Sequence, residues 1–154
     1  MQINFLEKFI GSGFYTGYIN KASGTFASLA AIAIYLIPGF ENPSLMLFFI
    51  TLFILIGVPI ARKFESIYGE DPKEYTNDEV IGMWITLLFV PKNIWWILLA
   101  FFIWRAFDIL KPYPVKKLES FKNGWGVLLD DILAGIYSFI LLHLIIFYFN
   151  KLIG

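Results

Sequence analysis

The sequence predicts an all-α integral membrane protein, and three observations support this class. Hydrophobic residues make up 58% of the 154 residues and aromatic residues 19%, which is typical of a membrane protein. Residues 45–61 and 132–149 are long apolar runs without formal charge, each near the roughly 20 residues that cross a bilayer. The charged residues gather between such runs. We therefore expect a single membrane-embedded domain over residues 1–154.

Three further segments bring the predicted bundle to about five membrane-embedded helices plus a short N-terminal helix. Residues 26–37 are apolar and alanine-rich, which favours close helix packing in lipid. Residues 80–110 are too long for one helix and are interrupted at Pro91-Lys92-Asn93, so we predict a hairpin. Its first arm, to Val90, is short, which leaves a tilted, re-entrant or partly buried helix open. Residues 1–10 fit an interfacial amphipathic helix or an ordinary packed one.

Five crossings would place most charged residues on one side of the membrane. That side would hold nearly all the basic residues, while the other side would keep only Lys92 and Lys151. The positive-inside rule then predicts a multi-pass protein of the inner (cytoplasmic) membrane with its charged face in the cytoplasm.

Composition narrows the chemistry further. The formal net charge is zero and no basic run occurs, so nucleic acid is not an expected partner. Cysteine is absent, which excludes disulfides, thiolate metal sites and cysteine nucleophiles. The one histidine, His143, lies in a span far from the acidic residues, and we expect it to serve packing or hydrogen bonding. Reactive groups must therefore be carboxylates or lysine.

Carboxylates are predicted at three helix ends on the charged side: Asp78-Glu79 and Asp130-Asp131 each open a helix, and Asp108 ends another. Carboxylate oxygens without histidine or cysteine suit a hard cation such as Mg²⁺, which also binds phosphate oxygens. Plainer roles stay open. Thr76 to Glu79 matches a helix capping box, and Arg105 could simply neutralise Asp108.

The polar stretch from Lys21 to Ser28 leads directly into the first span. Free amides at a helix start bind phosphate well, and Gly24 would let a ligand approach closely. Capping of that helix by Ser23 or Thr25 is the stronger expectation from the residues alone.

Several short motifs, in order and at specific spacing, resemble the phosphatidylglycerophosphatase A family over almost the whole chain. They are Gly24-Thr25, Ser28-Leu29, Asp71-Pro72, Asp78-Glu79 with Gly82, residues 105–114 (RAFDILKPYP), residues 124–127 (GWGV), Asp130-Asp131 and residues 134–137 (AGIY).

The resemblance implies an all-helical, magnesium-dependent membrane enzyme that hydrolyses phosphatidylglycerophosphate to phosphatidylglycerol and phosphate. The phospholipid substrate would meet the acidic face from the cytoplasmic leaflet. Direct attack by water is favoured over a phosphoenzyme. Expected catalytic residues are Asp130, Asp131 and Glu79; expected metal ligands are Asp78, Glu79, Asp108, Asp130 and Asp131; expected substrate-binding residues are Lys21, Thr25, Ser28, Arg105 and Lys111.

Alternative functions are a phosphatase of broader lipid phosphates such as phosphatidic acid, a non-catalytic assembly subunit, or a membrane transport protein that uses the acidic cluster. A transport path would need acids along a route across the bilayer, whereas none is predicted in mid-span.

Overall fold

The computed structural model describes residues 2–153, and within them it contains seven α-helices, one 3₁₀ turn and no β-strand. The predicted all-α class is confirmed. Met1, the first residue of the predicted N-terminal helix, lies outside the described residues. The elements are α1 (Phe5–Gly11), the 3₁₀ turn (Thr16–Tyr18), α2 (Ser23–Tyr35), α3 (Pro43–Tyr68), α4 (Asn77–Leu87), α5 (Ile94–Leu110), α6 (Val115–Leu118) and α7 (Trp125–Ile153).

Asparagine side chains set the start of two long helices. Asn42 accepts hydrogen bonds from the Ser44 and Leu45 amides, and Pro43 occupies the first turn of α3. Asn93 accepts from the Trp95 amide at 2.9 Å and so begins α5. The predicted break at Pro91-Lys92-Asn93 is therefore confirmed, because α4 ends before it and α5 begins directly after it.

Helices α2, α4 and α7 start at the same end of the bundle, which we call the acidic end. A Cβ atom built on Gly24, at the start of α2, would lie 2.4 Å from Glu79 Oε1 at the start of α4. At the far end, Tyr35 donates a hydrogen bond to the Val90 carbonyl at 2.8 Å. The chain therefore returns to the acidic end through α3 and α5.

Helix α4 is enclosed by the rest of the bundle. It contacts α2, α3, α5 and α7, and Glu79 is its only residue that is not buried. Its 11 residues span about 17 Å, well short of the roughly 30 Å of a hydrocarbon core. Of the forms that the sequence left open for this arm, the structure shows the short, buried helix.

Two glycines let α4 lie this close to its neighbours. A Cβ on Gly82 would lie 2.1 Å from the Trp104 ring of α5, and a Cβ on Gly135 of α7 would lie 2.9 Å from the Gly82 carbonyl. Any side chain at either position would push the helices apart or displace the indole. The glycines thus fix the distance between α4 and α7, which carry the acidic residues.

Two helices are long and apolar enough to cross a membrane, Pro43–Tyr68 and Trp125–Leu152, while α2 is apolar but shorter. Large apolar side chains on the outer faces of these helices and of α5 are exposed, including Phe48, Leu55, Phe102 and Phe147. An exposed apolar surface of this kind suits contact with lipid. Both long helices contain the spans predicted from the sequence, and both extend beyond them.

The prediction that Asp130-Asp131 opens the last helix was wrong. Helix α7 begins at Trp125, so the two acids lie in its second turn. Asn123 and Gly124 have positive φ angles and turn the chain just before the helix. The helix begins at that turn, and the apolar residues that follow continue it into the span.

The capping box that the sequence left open at Thr76 is not formed, and the expected capping of α2 was wrong. Thr76 precedes α4 without a side-chain capping bond; its hydroxyl lies 3.1 Å from that of Thr16 instead. Helix α2 is preceded by Ala22 in a left-handed conformation with no side-chain cap, so neither Ser23 nor Thr25 caps it. The hydroxyls of Ser23 and Thr76 instead contact the Lys73 carbonyl and the Thr16 hydroxyl.

Candidate active site

Three carboxylates meet at the acidic end of the bundle. Oxygens of Asp78, Glu79 and Asp131 all lie within 4.8 Å of one another, and we call these residues the carboxylate cluster. Asp78 is 7% exposed and Asp131 4%, so solvent screens their charges poorly. Such a cluster requires a positive charge or a proton in its midst.

The position of the cluster follows from the parallel course of α4 and α7. Asp78 and Glu79 lie in the first turn of α4, where free amides favour negative charge, and the Glu79 amide donates to Asp78 Oδ1 at 3.1 Å. Asp131 lies one turn before Gly135, where the backbones of α7 and α4 approach closely. The glycine contact therefore brings acids of both helices together.

The donor set fits a metal ion. Glu79 Oε2 is buried and has no hydrogen-bond partner among the described residues, which is costly for a carboxylate oxygen unless a cation binds it. All the available donors are carboxylate oxygens, the ligands that hard divalent cations prefer. The carboxylate cluster can therefore hold a metal ion.

The other two acids predicted as metal ligands flank the cluster and are paired with cations. Asp108 forms an ion pair with Arg105 one turn earlier in α5, and Asp130 Oδ2 accepts from Lys111 Nζ at 2.6 Å. The structure thus divides the five predicted ligands into three that converge and two that bind basic residues. Asp130 Oδ1, however, is buried without a hydrogen-bond partner in the described chain.

Lys111 connects α5 to the loop before α7. Its ammonium group donates to Asp130 and also to Glu119 Oε1 at 2.6 Å. Partial burial of Lys111 would lower its pKa, but these hydrogen bonds outweigh that effect and raise the pKa well above its usual value. Lys111 therefore remains a fixed positive charge next to Asp130.

The start of α2 forms another wall of the site. Gly24 has no side chain, which leaves room for Glu79 and for the Arg105 guanidinium, 3.3 Å from where a Cβ would stand. Thr25 is half-buried next to Gly24, and Lys21 is exposed in the preceding turn. The structure therefore brings Arg105 and the start of α2 together at the cluster, with Lys21 further out.

Ser28 lies deeper than the other predicted substrate-binding residues. It is fully buried, its hydroxyl donates to the Gly24 carbonyl at 2.9 Å, and it accepts from Trp104 Nε1 at 3.0 Å. Both bonds lie within the bundle, so Ser28 links α2 to α5 beneath the site. The sequence fitted Trp104 to an interfacial aromatic belt or to packing, and the structure shows packing, since Trp104 is fully buried. Neither its contact with Ser28 nor the contact of Glu119 with Lys111 was predicted, because no spacing pattern indicates them.

The lone histidine lies away from the acidic end. His143 Nδ1 is 2.8 Å from the Phe139 carbonyl, and its ring stacks on that of Phe139 with centroids 4.1 Å apart. The expectation that it serves packing and hydrogen bonding is confirmed.

Comparison with known proteins identifies the family of this chain. The profile of the family described as Phosphatidylglycerophosphatase A matches residues 9–146. The chain belongs to this family. It is 36% identical to the Phosphatidylglycerophosphatase A proteins of Haemophilus influenzae, over 86% of this chain and 84% of the relative, and of Escherichia coli, over 86% and 79%.

A further relative has a name that refers to a different lipid phosphate. A Bacteroides thetaiotaomicron protein with the provisional name phosphatidylinositol-3-phosphatase is 44% identical over 90% of this chain and 92% of its own length. No solved structure gives a significant match. Family membership makes this chain an enzyme of the phosphatase class, so the transport and assembly-subunit alternatives are not supported.

The contact between Gly24 and Glu79 yields a first prediction. We expect Gly24→Ala to lower phosphatase turnover at least about tenfold, because its methyl group would displace the Glu79 carboxylate or the Arg105 guanidinium by several tenths of an ångström. Thermal unfolding in detergent should change little. The neighbouring Ser23→Ala, which removes only a 3.3 Å hydrogen bond to the Lys73 carbonyl, is the matched control and should keep its turnover. Equal turnover in both variants would contradict the placement of α2 at the site.

Proposed function

We propose that this chain, as one domain over residues 1–154, is a magnesium-dependent phosphatase that hydrolyses phosphatidylglycerophosphate at the cytoplasmic face of the inner membrane. The carboxylate cluster carries this proposal, since it gathers three acids at the bundle end where Arg105 and Lys111 also lie. Acids that bind a metal together with bases that bind phosphate are the combination that phosphoryl transfer requires. The family names of the two 36% identical relatives support the substrate.

Phosphate binding falls to the basic residues and the start of α2. Arg105 presents a planar guanidinium next to Gly24, where the free amides of α2 also point toward the site. Lys111 adds a fixed charge on the side of α7. In the resting enzyme Asp108 and Asp130 neutralise these two cations, and a phosphate monoester would compete for them. Thr25 and Lys21 would complete the phosphate environment.

Hydrolysis itself is assigned to the carboxylates. A divalent ion bound by Asp78, Glu79 and Asp131 would polarise the phosphate and make a bound water more acidic. Asp130, whose Oδ1 has no partner, is placed to accept the proton of the attacking water. The new bond joins the water oxygen to phosphorus, and the bond from phosphorus to the head-group oxygen breaks as that oxygen takes up a proton. Arg105 and Lys111 would offset the charge that develops on the phosphoryl oxygens.

A panel of lipid phosphates tests the substrate. We expect phosphate release from phosphatidylglycerophosphate in detergent micelles to exceed release from phosphatidic acid, to stop on chelation and to return with Mg²⁺. Phosphatidylinositol 3-phosphate belongs in the panel because the 44% identical relative carries that name. Faster turnover of that lipid would make it the substrate instead. Activity that survives chelation would refute the proposed dependence on Mg²⁺.

Conservative amides test the residue roles. Asp131→Asn and Glu79→Gln keep the side-chain shape but remove a charge that binds the ion, so turnover should fall about 10³-fold in each. Glu41→Gln is the matched control, because Glu41 pairs with Lys92 at the opposite end of the bundle. A loss of activity in the control equal to that in the site variants would point to general instability instead. Retained turnover in both site variants would overturn the site.

The proposed orientation requires five membrane-embedded helices with the acidic end in the cytoplasm. The chain has no cysteine, so single cysteines can report sidedness directly. In sealed inverted vesicles, Lys116→Cys should react with an impermeant maleimide, whereas Lys92→Cys should react only after detergent is added. Reaction of both before detergent would refute this orientation.

A further inference from the structure

A cleft of about 430 Å³ lies next to the carboxylate cluster and is lined by five acids but only one lysine. The acids are Glu65, Glu70, Asp71, Glu119 and Asp130, and the lysine is Lys122. We call it the acidic cleft. Its walls come from the last turn of α3 and the loop after it, the loop before α7 and the first turns of α7.

Asp130 belongs to both the acidic cleft and the candidate active site. It lines the cleft, it is 3% exposed, and its Oδ1 is buried without a partner within residues 2–153. The next residue along α7 is Asp131 of the carboxylate cluster. The cleft therefore leads from solvent to the side of the cluster that α7 forms.

The charge of the cleft decides which ligand it suits. Glu65 accepts a hydrogen bond from the Gly124 amide at 3.0 Å and Glu119 binds Lys111, whereas Glu70 and Asp71 are exposed and form no ion pair in the described chain. A phosphate monoester would be repelled by such walls, while a hydrated divalent cation would be attracted to them. The basic residues proposed to bind phosphate, Arg105 and Lys111, do not line the cleft.

We propose that the acidic cleft captures hydrated divalent cations from the cytoplasm and passes them through Asp130 to the carboxylate cluster. The lipid phosphate then enters next to Arg105, and its path meets that of the cation only at Lys111 and Asp130. The inference rests on the proposed function in one respect, namely that the cluster binds a divalent ion.

Neutralising the outer acids provides the test. Mn²⁺ binding to the purified enzyme in detergent is measured by the loss of the free-ion electron paramagnetic resonance signal. We expect the double variant Glu70→Gln/Asp71→Asn to bind Mn²⁺ about three- to tenfold more weakly than wild type at low ionic strength, with unchanged stoichiometry. In about 0.5 M salt the difference should disappear. Lys122→Gln should shift the affinity in the opposite direction, because it removes the cleft's one lysine.

The matched control is Glu74→Gln, which removes one negative charge from the same loop as Glu70 but not from the cleft wall. It should leave Mn²⁺ affinity unchanged. A change in the control equal to that in Glu70→Gln alone, no change in the double variant, or the loss of a whole equivalent of bound Mn²⁺ would each overturn the proposal, the last because it indicates direct coordination.

A bulky side chain in the cleft tests whether cations pass through it, separately from the electrostatic attraction of its acids. Ser120→Trp places a bulky ring on the exposed part of the wall. It should slow Mn²⁺ release into excess chelator by severalfold while the equilibrium affinity stays within twofold of wild type. Unchanged release would rule out passage through the cleft. Phosphate release from lipids is assayed in parallel, so a wild type that binds Mn²⁺ without hydrolysing lipid phosphates would refute the proposed function alone.

Discussion

The gathering of three carboxylates where the start of α4 meets α7 is the constraint around which this structure is arranged. At separations of 4.8 Å or less, two charged carboxylates repel by at least about 3.5 kcal/mol if the effective dielectric constant is about 20. The amides at the start of α4 offset only part of this cost. The two basic residues nearest the cluster, Arg105 and Lys111, form ion pairs with Asp108 and Asp130 instead. The negative charge of the carboxylate cluster therefore stays uncompensated, and a bound cation would stabilise the structure most at this place.

The enclosure of α4 explains how such a site can exist beside a membrane. A helix of 11 residues surrounded by α2, α3, α5 and α7 exposes almost none of its backbone to lipid. Its short length keeps its first turn at the end of the bundle, and Gly82 and Gly135 keep it close to α7. Trp104 fills the space above Gly82 and holds Ser28 of α2. The same packing that closes the hydrophobic interior therefore fixes the relative positions of the acids.

The sequence predicted where the helices lie better than which side chains contact one another. Apolar runs predicted the helices, and the proline after Val90 predicted the hairpin, because both signals depend on local chemistry. The convergence of acids was expected, but the division of five acids into three clustered and two ion-paired residues depends on side-chain directions that no spacing specifies. Thr76 illustrates the limit: its motif matches a capping box, yet packing against the turn that contains Thr16 takes its hydroxyl elsewhere. Asp130-Asp131 failed as a helix start because the apolar residues before it are equally able to continue the helix.

The two ends of the bundle also differ in how completely their charges are compensated. At the far end Lys92 pairs with Glu41 at 2.9 Å and donates to the Ile37 carbonyl, which joins the ends of α2 and the hairpin in a closed contact. At the acidic end, Glu79 Oε2 and Asp130 Oδ1 are left without partners. Asn77 Oδ1 and His143 Nε2 are also buried without partners in the described chain, so the lack of a partner is not confined to these two atoms. A buried carboxylate oxygen without a partner is the costlier case, and a cation bound at the acidic end would supply that partner. The acidic end therefore keeps carboxylate oxygens that a bound cation can stabilise, whereas the charges at the far end already stabilise each other.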